Sequence, residues 1–149
     1  VWGVLLLIIW VISPPGWSRL AAVLFMGIII TAVPVMILKF TLRRPRPEGE
    51  WGQIYRKSDP HSFPSGHAAR TAMFSLLAFL LGPIWLGMIV SIWAVLVMLS
   101  RVALGVHYFS DIFVGIALGL FFGLITYGVS LSLPDLYLVY PGLFALFSG

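Results

Sequence analysis

Thirty consecutive residues, from Thr71 to Ser100, carry no charged side chain. As one helix at 1.5 Å per residue they would reach about 45 Å, well past the roughly 30 Å of hydrocarbon in a bilayer. Gly82-Pro83 interrupts the run near its middle, and this pair breaks a helix. The run therefore reads as two antiparallel helices, 66–81 and 84–104. Residues 20–38 form a further uncharged stretch between Arg19 and Lys39, with Pro34 expected to kink it. Residues 112–134 form another and predict a span over 108–131. Only 9% of the 149 residues are charged and 60% are hydrophobic, whereas a soluble domain is about 25% charged. Such a chain cannot cover a water-facing surface. Disorder is excluded too, because disordered chains are poor in apolar residues. The expected fold class is all-α: a polytopic transmembrane helical bundle of about six helices, four of them full spans and two partial.

The partial ones lie at the ends. Residues 1–12 read as the tail of a span, closed by Ser13-Pro14-Pro15-Gly16. They lack a basic leading region, so a signal peptide is not expected. The chain starts at Val1 without Met, which leaves room for a truncated N-terminus. Residues 136–147, with Pro141, read as an interfacial helix or a short span. One membrane-embedded domain over 1–149 is the expected organisation. The absence of cysteine excludes disulfides, thiolate zinc sites and cysteine-nucleophile chemistry.

Alternating direction gathers the charge on one side. The end of the 20–38 span defines a membrane face, X. Loop 43–65 lies on X, helix 66–81 leaves it, helix 84–104 returns and helix 108–131 leaves again. Eight of the nine Lys and Arg residues (Lys39, Arg43, Arg44, Arg46, Arg56, Lys57, Arg70, Arg101), all three histidines and Asp111 then converge on X. The positive-inside rule would turn X to the cytoplasm. Cations that bind a substrate do not report insertion, so that vote is set aside.

The residues on X suit a phosphoryl group. His107 and Asp111 are at i and i+4 and are expected to share a helix face. A carboxylate there fixes the imidazole tautomer and leaves the other nitrogen as a base or nucleophile. Ser65, Gly66 and His67 open a helix, where free N–H groups and the dipole favour an anion. Lys39, Arg46 and Arg101 supply three cations with donors suited to phosphate oxygens. As snorkelling anchors alone they would not need fixed spacings. No acidic cluster is present for Mg²⁺ or Ca²⁺. Three histidines in number suffice for zinc, but the surrounding cations argue against it.

Three segments, Lys39–Pro47, Pro64–His67 and Ser100–Asp111, resemble the signature of the type-2 phosphatidic acid phosphatase family, which is related to vanadium haloperoxidases. That signature is Lys, six residues, Arg-Pro; then Pro-Ser-Gly-His; then Ser-Arg, five residues, His, three residues, Asp. Every fixed position is matched, over about half the chain. The resemblance implies a lipid phosphatase that is independent of metal or other cofactor and forms a phosphohistidine. By position, His107 is the nucleophile, Asp111 its orienting partner, and His67 the acid and then the base. Lys39, Arg46, Ser65, Gly66 and Arg101 hold the phosphate. Members usually have about six spans, so a first family helix is expected to be absent or truncated here. The membrane setting disfavours the soluble haloperoxidase branch. The expected substrates are a polyprenyl pyrophosphate, phosphatidylglycerophosphate, phosphatidic acid or a lipid A phosphate. The expected setting is a multi-pass cell-membrane protein with an extracytoplasmic site. The expected partners are the lipid phosphate and membrane lipids, with no nucleic acid. Two rivals remain: a phosphotransferase using the same phosphohistidine, and an idle membrane scaffold.

The remaining residues read more plainly. Arg70 opposes the dipole of its helix in the first turn, so it is either a headgroup contact or a snorkelling cation. Arg43, Arg44, Arg56 and Lys57 read as a headgroup-facing surface, with Glu48, Glu50 and Asp59 as local partners. His61 reads as a loop residue. Trp51, Tyr55 and Phe63 read as interface-belt residues or as part of the site wall. Gly115, Gly119 and Gly123 continue the i+4 register from Asp111 and predict close helix packing.

Overall fold

The computed structural model describes residues 2–48 and 59–133. Glu50, Trp51, Tyr55, Arg56, Lys57 and the expected element at 136–147 lie outside the described residues. The described chain is all-helical: α1 (Trp2–Ile12), α2 (Pro15–Leu42), α3 (Gly66–Leu81), α4 (Ile84–Ala103) and α5 (Phe109–Ser132). Among the described residues the extended pairing is a single isolated bridge, Pro45 to His61. The five described helices do not make up the expected six.

The Gly82-Pro83 break holds, with α3 ending at Leu81 and α4 starting at Ile84. The second helix differs from its expected bounds of 20–38. It opens inside the Pro14-Pro15 turn, since proline in the first turn has no N–H to leave unsatisfied. It also runs on past Lys39 to Leu42, with Pro34 inside it. Arg43 then ends it in the left-handed region (φ 48°), donating its N–H to the Lys39 carbonyl at 3.1 Å.

Three of the described helices (α2, α4 and α5) are long and apolar enough to cross a membrane. Of the four expected full spans, α3 is the exception. Its 16 residues extend about 24 Å, less than the hydrocarbon thickness. It compensates by position: α3 packs on α2, α4 and α5, while α1 packs on α2. Its Ala69, Met73 and Leu77 are fully or almost fully buried, and Leu6, Ala21 and Val23 close the core around it. Large apolar side chains point outward elsewhere, including Ile84, Ile92, Phe113 and Phe121. That outer surface suits lipid and not water.

The expected glycine seam is where α5 meets α3. A Cβ on Gly115 would stand 2.6 Å from the Ser65 carbonyl oxygen, and one on Gly119 would strike the Ala69 carbonyl. Backbone therefore lies on backbone, as small residues allow between membrane helices. The seam sets the start of α3 against the start of α5, where the chemistry-bearing residues sit.

Candidate active site

Two cavities meet at His67, which is exposed on the first turn of α3. The first, of about 170 Å³, is lined by Lys39, Arg46, Asp59, His67, Arg70 and His107, with Gly66 at its edge. The second, of about 240 Å³, holds Arg101 on the far side of His67, together with Thr71, Trp93 and Val97. Arg70 follows His67 by three residues on the same helix face and lines both. It is thus part of the site wall, beyond the headgroup or snorkelling role expected of it.

His107 is delivered by a closed turn. The Arg101 carbonyl accepts the N–H of both Val106 (3.1 Å) and His107 (3.3 Å). Gly105 supplies the left-handed corner at φ 62°. The imidazole is 4% exposed. Its Nδ1 faces Asp111 Oδ2 at 3.5 Å, an ion-pair separation that must shorten for a well-formed hydrogen bond. Its Nε2 lies 3.4 Å from Arg46 Nη1. The expected His107–Asp111 pairing is present, but the reason differs. Helix α5 begins only at Phe109, so the two do not share a helix face. Instead Asp111 serves as the capping acid of α5, accepting the Tyr108 N–H at 2.9 Å. The turn then swings His107 back over it.

Asp111 is fully buried. Its second oxygen accepts from Arg44 Nη1 at 2.8 Å, and the same nitrogen donates to Ser110 Oγ at 2.7 Å. The Arg44 guanidinium also lies 4.1 Å over the Tyr108 ring, a cation–π arrangement. Arg44 is therefore a clamp on Asp111, a contact additional to its expected place on a headgroup-facing surface, and its side chain stays 37% exposed. Arg43 remains exposed, with Nε donating to the Phe40 carbonyl at 2.9 Å, and lines neither cavity. His61 is a loop residue packed edge-on against Phe40.

Ser65 is the N-cap of α3. Its Oγ accepts the Ala68 N–H at 3.4 Å, and its own N–H donates to the Asp111 carbonyl at 3.0 Å. It is wholly buried and lines neither cavity, so its observed role is to tie α3 to α5.

Lys39 and Arg46 are 4% and 3% exposed. Charges at that depth need an anion or an acceptor. Arg46 donates from Nη1 to the Val106 carbonyl at 2.8 Å and from Nε to the Asp59 carbonyl at 2.7 Å. Both cations also reach the Asp59 carboxylate: Oδ2 lies 2.5 Å from Lys39 Nζ and 2.9 Å from Arg46 Nη2. Asp59 was expected to serve surface cations, and this pairing departs from that. A sequence signal did exist: the chain has only five acidic residues to set against two cations bound for burial.

The profile of the PAP2 superfamily matches residues 17–133, well over half the chain. The lipid A 1-phosphatase of Rhizobium johnstonii is 32% identical over 126 residues, which cover 73% of this chain and 47% of that protein. The lipid A 1-phosphatase of Rhizobium etli is likewise 32% identical over 126 residues, covering 73% of this chain and 50% of that protein. An undecaprenyl-diphosphatase of Sulfolobus acidocaldarius is 31% identical over 104 residues, covering 68% of this chain and 50% of that one. The chain spans about half the length of these curated relatives. No solved structure matches it.

Proposed function

This chain belongs to the PAP2 superfamily, and on that premise we propose that it is a multi-pass membrane phosphatase that removes the terminal phosphate of a lipid through a phosphohistidine. One observation carries the reading. A single buried imidazole has its Nδ1 toward a buried carboxylate and its Nε2 toward a buried guanidinium, and it shares a cavity with a second histidine. In the first step the His107 Nε2 lone pair attacks phosphorus, and the bond from phosphorus to the lipid oxygen breaks. Asp111 holds the Nδ1 proton and stabilises the cationic ring. Protonated His67 gives its proton to the leaving oxygen. In the second step water attacks the phosphohistidine, neutral His67 takes its proton, the N–P bond breaks and phosphate departs. Both residues return to their starting state, with no metal or other cofactor required. Lys39, Arg46, Arg101 and the amides at the start of α3, with Gly66, stabilise the charge on the transferring group, and Ser65 supports them from behind as the N-cap that ties α3 to α5. An acid–base residue contributes typically 10²–10⁴-fold.

The neighbouring cavities favour a lipid over a soluble ester. Trp2, Phe74 and Trp93 line both the 240 Å³ cavity at Arg101 and an apolar cavity of about 340 Å³ between α1, α2, α3 and α4. A phosphate at the histidines would so have its hydrocarbon chain led down toward Leu24 and Leu86. Of the substrates considered, a lipid A 1-phosphate or a polyprenyl diphosphate accords with the names of the relatives. On this reading the site faces the extracytoplasmic side of one membrane-embedded domain, as the family resemblance implies.

Purified protein in detergent, offered a panel of lipid phosphates with EDTA present, is expected to release phosphate, and His107→Ala is expected to abolish release. Activity surviving His107→Ala, or lost to the chelator, would overturn the mechanism. Turnover of no lipid phosphate would favour the scaffold.

A further inference from the structure

Asp59 holds the position that a phosphate needs. Its Oδ2 takes both Lys39 Nζ and Arg46 Nη2, and it lines the same cavity as His67 and His107. Arg46 places Nη1 3.4 Å from His107 Nε2 and Nη2 2.9 Å from the carboxylate. A phosphoryl group on Nε2 would thus lie at the guanidinium edge that Asp59 now occupies. Carboxylate and phosphate oxygens are equivalent acceptors for guanidinium and ammonium donors. Two anions that close repel each other, so they compete for the cradle. The burial is lopsided: the Lys39 and Arg46 side chains are 6% and 1% exposed, while that of Asp59 is 38% exposed. The cations are fixed in place, and the carboxylate alone has water to withdraw into.

We propose that Asp59 is a resident stand-in for the substrate phosphate, a positioning residue that acts through Lys39 and Arg46. Between turnovers it neutralises the two buried cations. It yields them to the incoming phosphate, and on returning it displaces inorganic phosphate after the phosphohistidine is hydrolysed. No covalent bond to Asp59 forms. The inference rests on the phosphatase reading, because it presumes that phosphate binds at Lys39 and Arg46.

The test compares the unaltered chain with Asp59→Asn, Asp59→Ser and Asp59→Glu in detergent. Direct binding of inorganic phosphate and of orthovanadate is measured without turnover, and KM and kcat are measured on a lipid phosphate. Removing the competing charge should tighten phosphate and vanadate by about tenfold, the scale of one like-charge contact in a partly exposed site. KM should fall in parallel, kcat should fall as product lingers, and Asp59→Glu should restore wild-type binding. Asp59→Ser gives the same reading if the amide variant does not fold. Unchanged or weaker phosphate binding in the neutral variants overturns the proposal, because a carboxylate that merely braces Arg46 would weaken the site when lost. Wild-type protein that binds phosphate, more tightly once Asp59 is neutral, yet turns over no lipid would overturn the hydrolase reading and leave the stand-in intact.

Discussion

On the α3–α5 flank of the cavity, backbone rests on backbone and the acid is sealed. Gly115 and Gly119 admit no side chain, Ser65 N–H reaches the Asp111 carbonyl, and Asp111 is wholly buried. On the α2 flank Lys39 and Arg46 meet the acid, Asp59, through its side chain, and that carboxylate is open to water. Both flanks pair an acid with cations, yet only one acid is free to leave. On the proposed mechanism the nucleophile, His107, is held by the flank packed backbone on backbone, and the anion cradle by the flank whose acid is open to water. Each demand is met where the packing suits it: a nucleophile gains from fixed orientation, and a binding site must empty.

Substitutions that strike the two flanks unequally test this division. The largest effect is expected for Asp111→Asn, which leaves the geometry but fixes the His107 tautomer less well: kcat should fall about 10²–10⁴-fold, with KM little changed. Steady-state kinetics on a lipid phosphate checks it, and a loss confined to KM would move Asp111 to substrate binding. Arg46→Ala should lower kcat/KM about 10²–10³-fold through lost charge stabilisation. Arg44→Ala, removing a half-exposed clamp, should cost about tenfold, the scale of one partly exposed charge contact. Equal losses from the two would erase the distinction between cradle and clamp. Next comes Gly119→Ala, expected to destabilise by about 1–3 kcal/mol through overpacking. Gly128→Ala on the same helix meets nothing within 4 Å and should be neutral or slightly stabilising. Thermal denaturation in detergent reads both, and a silent Gly119→Ala would remove the rigid seam. The smallest effect is expected at the apolar cavity. Leu24→Trp, at a half-buried position in its wall, should raise KM for a long-chain lipid phosphate by about fivefold, the lower end of the 1–3 kcal/mol that one hydrophobic pocket contributes. Turnover of a short, water-soluble phosphate ester should be unaffected.

Much of the helical layout was legible from charge and helix breakers. A run too long for one crossing and interrupted by Gly-Pro had to turn back, and α3 came out at 66–81 as expected. The same reasoning misjudged α2. Arg19 and Lys39 flank its uncharged stretch, but a charge stops a helix only if it must reach water, and Lys39 finds an acid indoors. The pairing of His107 with Asp111 was foreseen for the wrong reason: i and i+4 spacing is shared by a helix face and by a turn folded onto an N-cap. The partners of Asp59 and Arg44 were not legible because they lie across loops. A loop charge carries no periodicity, so its partner is set by tertiary packing alone.

The Arg101 carbonyl, which receives two successive amides, turns the stretch up to His107 into a ruler. Residues 102–104 can be exchanged for others of similar character, because it is the number of peptide units that sets where the imidazole lands. One unit added or removed would carry the ring off Asp111, whatever side chains were kept. A gap of unspecified residues with an unvarying count is the linear trace of a closed turn. Here the count is part of the chemistry.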